Sequence, residues 1–195
     1  MDRATATSAP TKGARVTPLE LLRRFRKNRE GVTSVEFAMV SVPFFGTLFA
    51  VLETAFAFFA GQALETALSD SARKILTGQV QGNGAITNAE QFRDHIMCNG
   101  ANSLLPTFID CSQVKIDVRS IASFQDADMS KPVAGGVLDT SNFGYNPGAP
   151  GDIIIVRAVY PMPVYVSLLG TEGTIDLNGR KRILMATAVF RNEPF

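Results

Sequence analysis

Residues 31–78 read GVTSVEFAMVSVPFFGTLFAVLETAFAFFAGQALETALSDSARKILTG, and a change of pattern inside that stretch decides the architecture. Residues 37–52 carry no charge; Glu53 and Thr54 interrupt, and AFAFFA continues to Ala60. A helix needs about 20 apolar residues to cross the hydrocarbon core of a bilayer. The span to Ala60 meets that length if Glu53 lies near one interface. Beyond Ala60 the apolar residues withdraw to a single stripe at helical spacing: Ala60, Ala63/Leu64, Ala67/Leu68, Ser71/Ala72 and Ile75/Leu76. Glu65, Ser69, Asp70, Arg73 and Lys74 take the other face, and Gly78 after the two basic residues is a stop signal. One helix from about Thr33 to about Thr77 is expected, roughly 65 Å at 1.5 Å per residue. Its first half is greasy all round and its second half one-sided. Pro43 is expected to kink it.

Upstream stands a basic cluster, RRFRKNR, with five Lys/Arg at positions 23–29. Residues 1–31 hold eight Lys/Arg and three acids, +5, and the remaining 11 Lys/Arg and 15 acids give −4, which sums to the overall +1. A cluster of this kind beside an apolar span stays in the cytoplasm. The chain after Ala60 is then expected outside, which in a bacterium is the periplasm. Because the cluster abuts a membrane segment and not a folded basic face, no nucleic-acid partner is expected. Residues 1–18, rich in Ala, Thr, Ser and Pro, read as a disordered tail. The composition, 46% hydrophobic with a mean hydropathy of +0.11, suits one soluble domain with one hydrophobic helix added.

The two cysteines, Cys98 and Cys111, fall in the exported part, where an even count favours a disulfide. Such a bond would stabilise by about 3 kcal/mol for a loop of this size. Two buried thiols are the alternative. A metal site from His95, Cys98 and Cys111 lacks a fourth ligand, and no metal or other cofactor is expected. A short helix should begin at Asn88, an N-cap with Gln91 three residues on, turn Phe92 and Ile96 inward, and end near Asn99-Gly100. Three strand candidates follow: residues 114–124 (VKIDVRSIASF), 152–162 (DIIIVRAVYPM) and 180–192 (RKRILMATAVFRN). The intervening residues 125–151, with their glycines and prolines, read as a long exposed loop. The expected class is α+β, with a long N-terminal transmembrane helix continuing into a periplasmic domain that has a short helix and a small antiparallel sheet. By segment this is a leader at 1–31, a span at 32–60, a helix extension at 61–78 and an α+β domain at 79–195.

Gly31 and VTSVEF carry the mechanistic content. Glycine has no side chain, so an extended backbone at Gly31 can enter a tight peptidase site. Cleavage there would discard residues 1–31 and leave a new α-amine on Val32. Glu36 would become the fifth residue of the shortened chain, and Phe37 would follow it. A lone carboxylate at the membrane edge is costly and usually functional, and the α-amine of a neighbouring subunit could pair with it. From the spacing alone, two plainer readings stand equally: a flexible hinge before a signal anchor, and an interfacial acid that snorkels to the headgroups. Ala55-Phe56-Ala57 resembles a signal-peptidase site, but the apolar run before it is too long. No GxSxG, HExxH or phosphate-binding glycine loop is present, so no enzymatic activity is expected. Residues 179–182 (GRKR) read as a solvated strand entry.

The combination Gly31, Glu36, Phe37, Pro43, Glu53, Ala72 and Arg73 resembles the pattern of the TadE-like family. These are pseudopilin components of the tight-adherence (Tad/Flp) pilus apparatus. The resemblance implies a pilin-like build and cleavage after Gly31 by a prepilin peptidase. It implies a minor pilin that acts in assembly or initiation and supports surface adhesion without forming the bulk of the fibre. The partners implied are the inner membrane, other pilins and minor pilins, the prepilin peptidase and the assembly platform. The competing reading is an uncleaved single-pass membrane protein whose outer domain binds a ligand, for instance through residues 125–151.

Overall fold

The computed structural model describes residues 31–82, 84, 86–99, 103–164 and 181–195. The basic cluster, the rest of the leader, Gly179 and Arg180 lie outside them. The chain divides into two units, Met1–Phe45 and Gly46–Phe195.

Helix α1 runs over Val32–Leu76. Its residues in the first unit are exposed, apart from a half-buried Ser41. Pro43 lies inside the helix, which continues past it; with no N–H, Pro43 offers the Met39 carbonyl no helical donor. In the second unit the buried residues are Ala50, Ala57, Ala60, Leu64, Ala67, Leu68, Ser71, Ala72 and Ile75. From Ala57 onward they recur every three or four positions, one stripe of a 3.6-residue helix. Ser71 stays on that stripe because its hydroxyl donates to the Ala67 carbonyl at 2.6 Å, which leaves no buried polar atom orphaned. Arg73 and Lys74 close the last turn, where cations favour the negative end of the helix dipole. Gly78 then turns the chain with φ +74°, and a side chain there would run into the Phe195 ring. Helix α2, Gln79–Gly82, follows.

Asn88 caps α3, Ala89–Phe92, by accepting from the Gln91 N–H at 2.8 Å. The helix then widens into a π turn, Arg93–Met97, in which the Cys98 N–H reaches back five residues to Arg93 O at 2.8 Å. This shifts the inward face by one position. Met97 is fully buried beneath the same core as Phe92, and Ile96, which α periodicity would have placed there, is only half-buried.

The sheet has the order β1-β4-β5, all antiparallel: β1 Lys115–Ile121, β4 Ile153–Pro163 and β5 Lys181–Arg191. Even-numbered residues of β4, from Ile154 to Met162, join the core with Leu64, Leu68 and Ile75 of α1 and with Phe92 and Met97. Burying each of the Val, Leu, Ile, Phe and Met side chains among these contributes about 1.5–3 kcal/mol. β4 spans about 33 Å at 3.3 Å per residue, enough to cover the four or five helical turns that carry the stripe.

The prolines of β4 follow from its bonding parity. The Asn192 N–H donates to Asp152 O at 2.9 Å, in line with the β4–β5 register, so even residues of β4 bond β5 and odd residues turn toward β1. Pro161 and Pro163 are odd, and β1 already ends at the Lys115↔Val159 pair. Neither proline removes a ladder bond.

Residues 125–151 are more organised than a long exposed loop. After a 3-10 turn, Phe124–Asp126, come two short strands, β2 Val133–Ala134 and β3 Val137–Leu138, paired antiparallel. Gly135 and Gly136 join them with φ of 58° and 76°, the two positive values a type I′ hairpin turn requires. Further on, Gly144 O accepts from Val118 N–H at 2.9 Å, and Asn146 N–H donates to Val118 O at 2.8 Å. The segment thus covers part of the free edge of β1.

Candidate functional site

The first turn of α1 is built on Gly31, whose carbonyl accepts from the Val35 N–H at 3.1 Å. A Cβ on Gly31 would meet nothing within 4 Å, and its φ is not in the left-handed region. The fold therefore does not demand a glycine there. Val32, Glu36 and Phe37 are all exposed, Phe37 at 69%, and Val35, Met39 and Val40 around them are exposed as well. Glu36 is thus a carboxylate on an apolar surface, and among the described residues it forms no ion pair. The four residues share two turns by sequence adjacency; among the described residues no hydrogen bond or ion pair joins them to another element.

Cys98 and Cys111 lie in the second unit and are bonded to each other, with Cα atoms 6.2 Å apart. Cys98 follows the π turn and Cys111 opens a 3-10 turn, Cys111–Gln113. Asp110 caps that turn through Ser112 N–H at 3.0 Å. Hydrogen bonds from Ser112 and Gln113 hold its carboxyl below the ordinary carboxylate range. With both sulfurs in the disulfide, Cys98 and Cys111 offer no thiolates to a metal, and His95 is exposed. Within the loop so closed, Phe108 rests on α1, its ring 5.0 Å from that of Phe56 and 5.6 Å from that of Phe59.

A charged cluster that the strand pattern concealed sits on the face of the sheet away from α1. Asp117 is fully buried and accepts from Arg157 at 2.8 and 3.0 Å and from Arg119 at 2.7, 2.9 and 3.1 Å. The Gly144 N–H completes its shell at 2.9 Å. Arg157, itself 3% exposed, also donates to Asp128 O at 3.2 Å and to its carboxylate at 3.4 Å, with the Phe143 ring 5.7 Å from its guanidinium. One buried carboxylate between two guanidiniums ties β1, β4 and the 125–151 segment together. Hydrogen bonds from Ser130, and then the nearby Arg157, hold the Asp128 carboxyl below its ordinary range. Within the same segment, burial pushes the Tyr145 hydroxyl up to about 12. The sequence signal for the cluster was an acid and an arginine, Asp117 and Arg157, each interrupting an apolar strand; their pairing needed the register Asp117↔Arg157.

No curated protein and no solved structure matches the chain. Residues 31–73, which hold Gly31, Glu36, Phe37, Pro43 and the greater part of the covered stripe, match the family model described as TadE-like protein. The helix that carries the segment is similar to that family from Gly31 to Arg73.

Proposed function

We propose that this chain is a minor pilin or pseudopilin of a Tad pilus system, anchored by α1 in the inner membrane with the chain after Ala60 in the periplasm. In this reading a prepilin peptidase cuts after Gly31. The new α-amine of Val32 or that of a neighbouring pilin then meets Glu36 in a low-dielectric helix bundle, where an unpaired carboxylate is costly and a pair can set register. The protein acts in assembly or initiation of the fibre and has no catalytic role of its own. The observation that carries this is Glu36 exposed on the apolar start of α1, within the TadE-like residues 31–73. Gly31, which nothing in the fold requires, supports the peptidase reading.

Mass spectrometry of the mature N-terminus tests it. A chain beginning at Val32 is expected, with accumulation of the longer precursor in Gly31→Leu. A chain that retains Met1 in cells with an active prepilin peptidase would remove the processing step. Glu36→Ala is expected to insert into the membrane normally and to reduce piliation; undiminished pili would sink the pairing role.

A further inference from the structure

At one level of α1 the second unit gathers an apolar and aromatic band. Phe56 and Phe59 carry the ring of Phe108. Phe56, Ala60, Phe108, Tyr160, Met162 and Pro163 line a recess of about 90 Å³. Toward the N-terminus from this level, Leu48, Phe49, Val51 and Leu52 are exposed; toward the C-terminus the stripe of α1 is covered by the unit's own core. The band is the rim where self-coverage stops.

Three observations bear on what this rim meets. Exposed apolar side chains stand at the rim, Phe56, Phe58, Phe59 and Phe108, and again on α1 beyond Glu53 and Thr54, at Leu52, Val51, Phe49 and Leu48. The β4–β5 register sets Lys181 opposite Pro163 and Arg182 opposite Met162, which puts two cations at the same level. Aromatic rings at a hydrocarbon boundary with basic side chains beside them are the chemistry of the bilayer interface, where rings sit among headgroups and cations face phosphates. The spacing agrees as well: α1 from Phe37 to Phe56 covers about 28 Å at 1.5 Å per residue, against about 30 Å of hydrocarbon.

We propose that this band is seated in the headgroup layer of the outer leaflet of the membrane that α1 spans, with Phe108 in contact with lipid. The inference rests on the membrane reading above and adds to it a fixed depth for the domain. The Cys98–Cys111 bond closes the loop that carries Phe108, and Phe108 meets α1 through Phe56 and Phe59.

The chain contains no tryptophan, so a single introduced indole reports alone. The full chain carrying Phe108→Trp, Phe59→Trp or Leu48→Trp is reconstituted into vesicles of phosphatidylcholine and phosphatidylglycerol. The phosphatidylcholine is brominated either near the headgroup end of its acyl chains or near their termini. Fluorescence of Phe108→Trp and Phe59→Trp is expected to be lost more to the shallow bromines, and that of Leu48→Trp more to the deep ones. If Leu48→Trp is quenched deeply while Phe108→Trp and Phe59→Trp escape both lipids, the rim faces water or a protein partner and the proposal is overturned with the membrane reading intact. Stronger quenching of Phe108→Trp by the deep bromines overturns it too. Escape of Leu48→Trp from both lipids overturns the membrane reading and this proposal with it.

Discussion

Residues 32–59 and 60–76 belong to one helix and differ in how many apolar side chains they carry and in how these are arranged. The first stretch is the more hydrophobic, yet it is exposed, apart from Ala50, Ala57 and a few half-buried positions. The second has fewer apolar residues and buries nearly all of them, because they form one stripe with Glu65, Asp70 and Arg73 behind it. Ala60 and Ala67 on the stripe share the core with Leu64, Leu68 and Ile75. A chain's own domain can cover a one-sided helix. A helix that is greasy all round needs a different solvent, lipid or other helices.

That contrast can be broken from the covering side first. Asp117→Ala strands the guanidinium of Arg157 and is expected to cost about 3–5 kcal/mol, read as a lowered guanidinium midpoint for the second unit in the detergent-solubilised full chain. The same titration distinguishes the two halves of α1 directly. Leu64→Ala is expected to cost about 2–5 kcal/mol, and Leu52→Ala less than about 0.5 kcal/mol; equal costs would erase the distinction. Removing the disulfide with Cys98→Ser and Cys111→Ser together is expected to cost about 3 kcal/mol. Gly78→Ala, forced to a positive φ against Phe195, is expected to cost about 1–3 kcal/mol.

The smallest effect concerns Tyr145. Its hydroxyl is buried with no partner among the described residues, and its folded pKa, about 12, stands above the ordinary 10. A raised pKa contributes stability that is fully present below pH 10 and is lost as pH rises toward 12. Tyr145→Phe should therefore match or slightly exceed the wild type at neutral pH and lose less stability at alkaline pH. On the acid side, Asp94 is held below its ordinary range chiefly by its hydrogen bond with Arg93, and Asp128 by Ser130. Their contribution is present above the ordinary carboxylate pKa and fades as pH falls below it, so unfolding midpoints should drop below about pH 4.

The residue pattern carried much of this architecture. Helix α1 and the second and third main strands fall within a residue of where periodicity and β-branched runs put them, and the first ends three residues early, at Ile121, because each has a core face that only one register satisfies. The π turn was invisible, since one extra residue per turn leaves no mark on a nine-residue window. The β2–β3 hairpin had a signal in Gly135-Gly136 between two apolar pairs, but strands of two residues are too short for periodicity to register. Asp117 and Arg157 stand in the sequence as single charges within apolar strands. Their burial depends on residues 125–151 returning over the sheet, a contact between distant segments that local pattern does not encode. At the start of α1 the site was legible as Gly31 followed by Glu36 and Phe37 on an apolar run, and the role proposed for Glu36 involves a partner outside the chain.

The two prolines of β4 act as a parity check. If β4 slid by one residue, Pro161 and Pro163 would move into positions that must donate to β5, and two ladder bonds would be lost. The same slide would swing Arg157 into the domain's apolar core and Ala158 out of it. A strand of β-branched residues, which on its own would tolerate several alignments, is thereby left with one that closes without error.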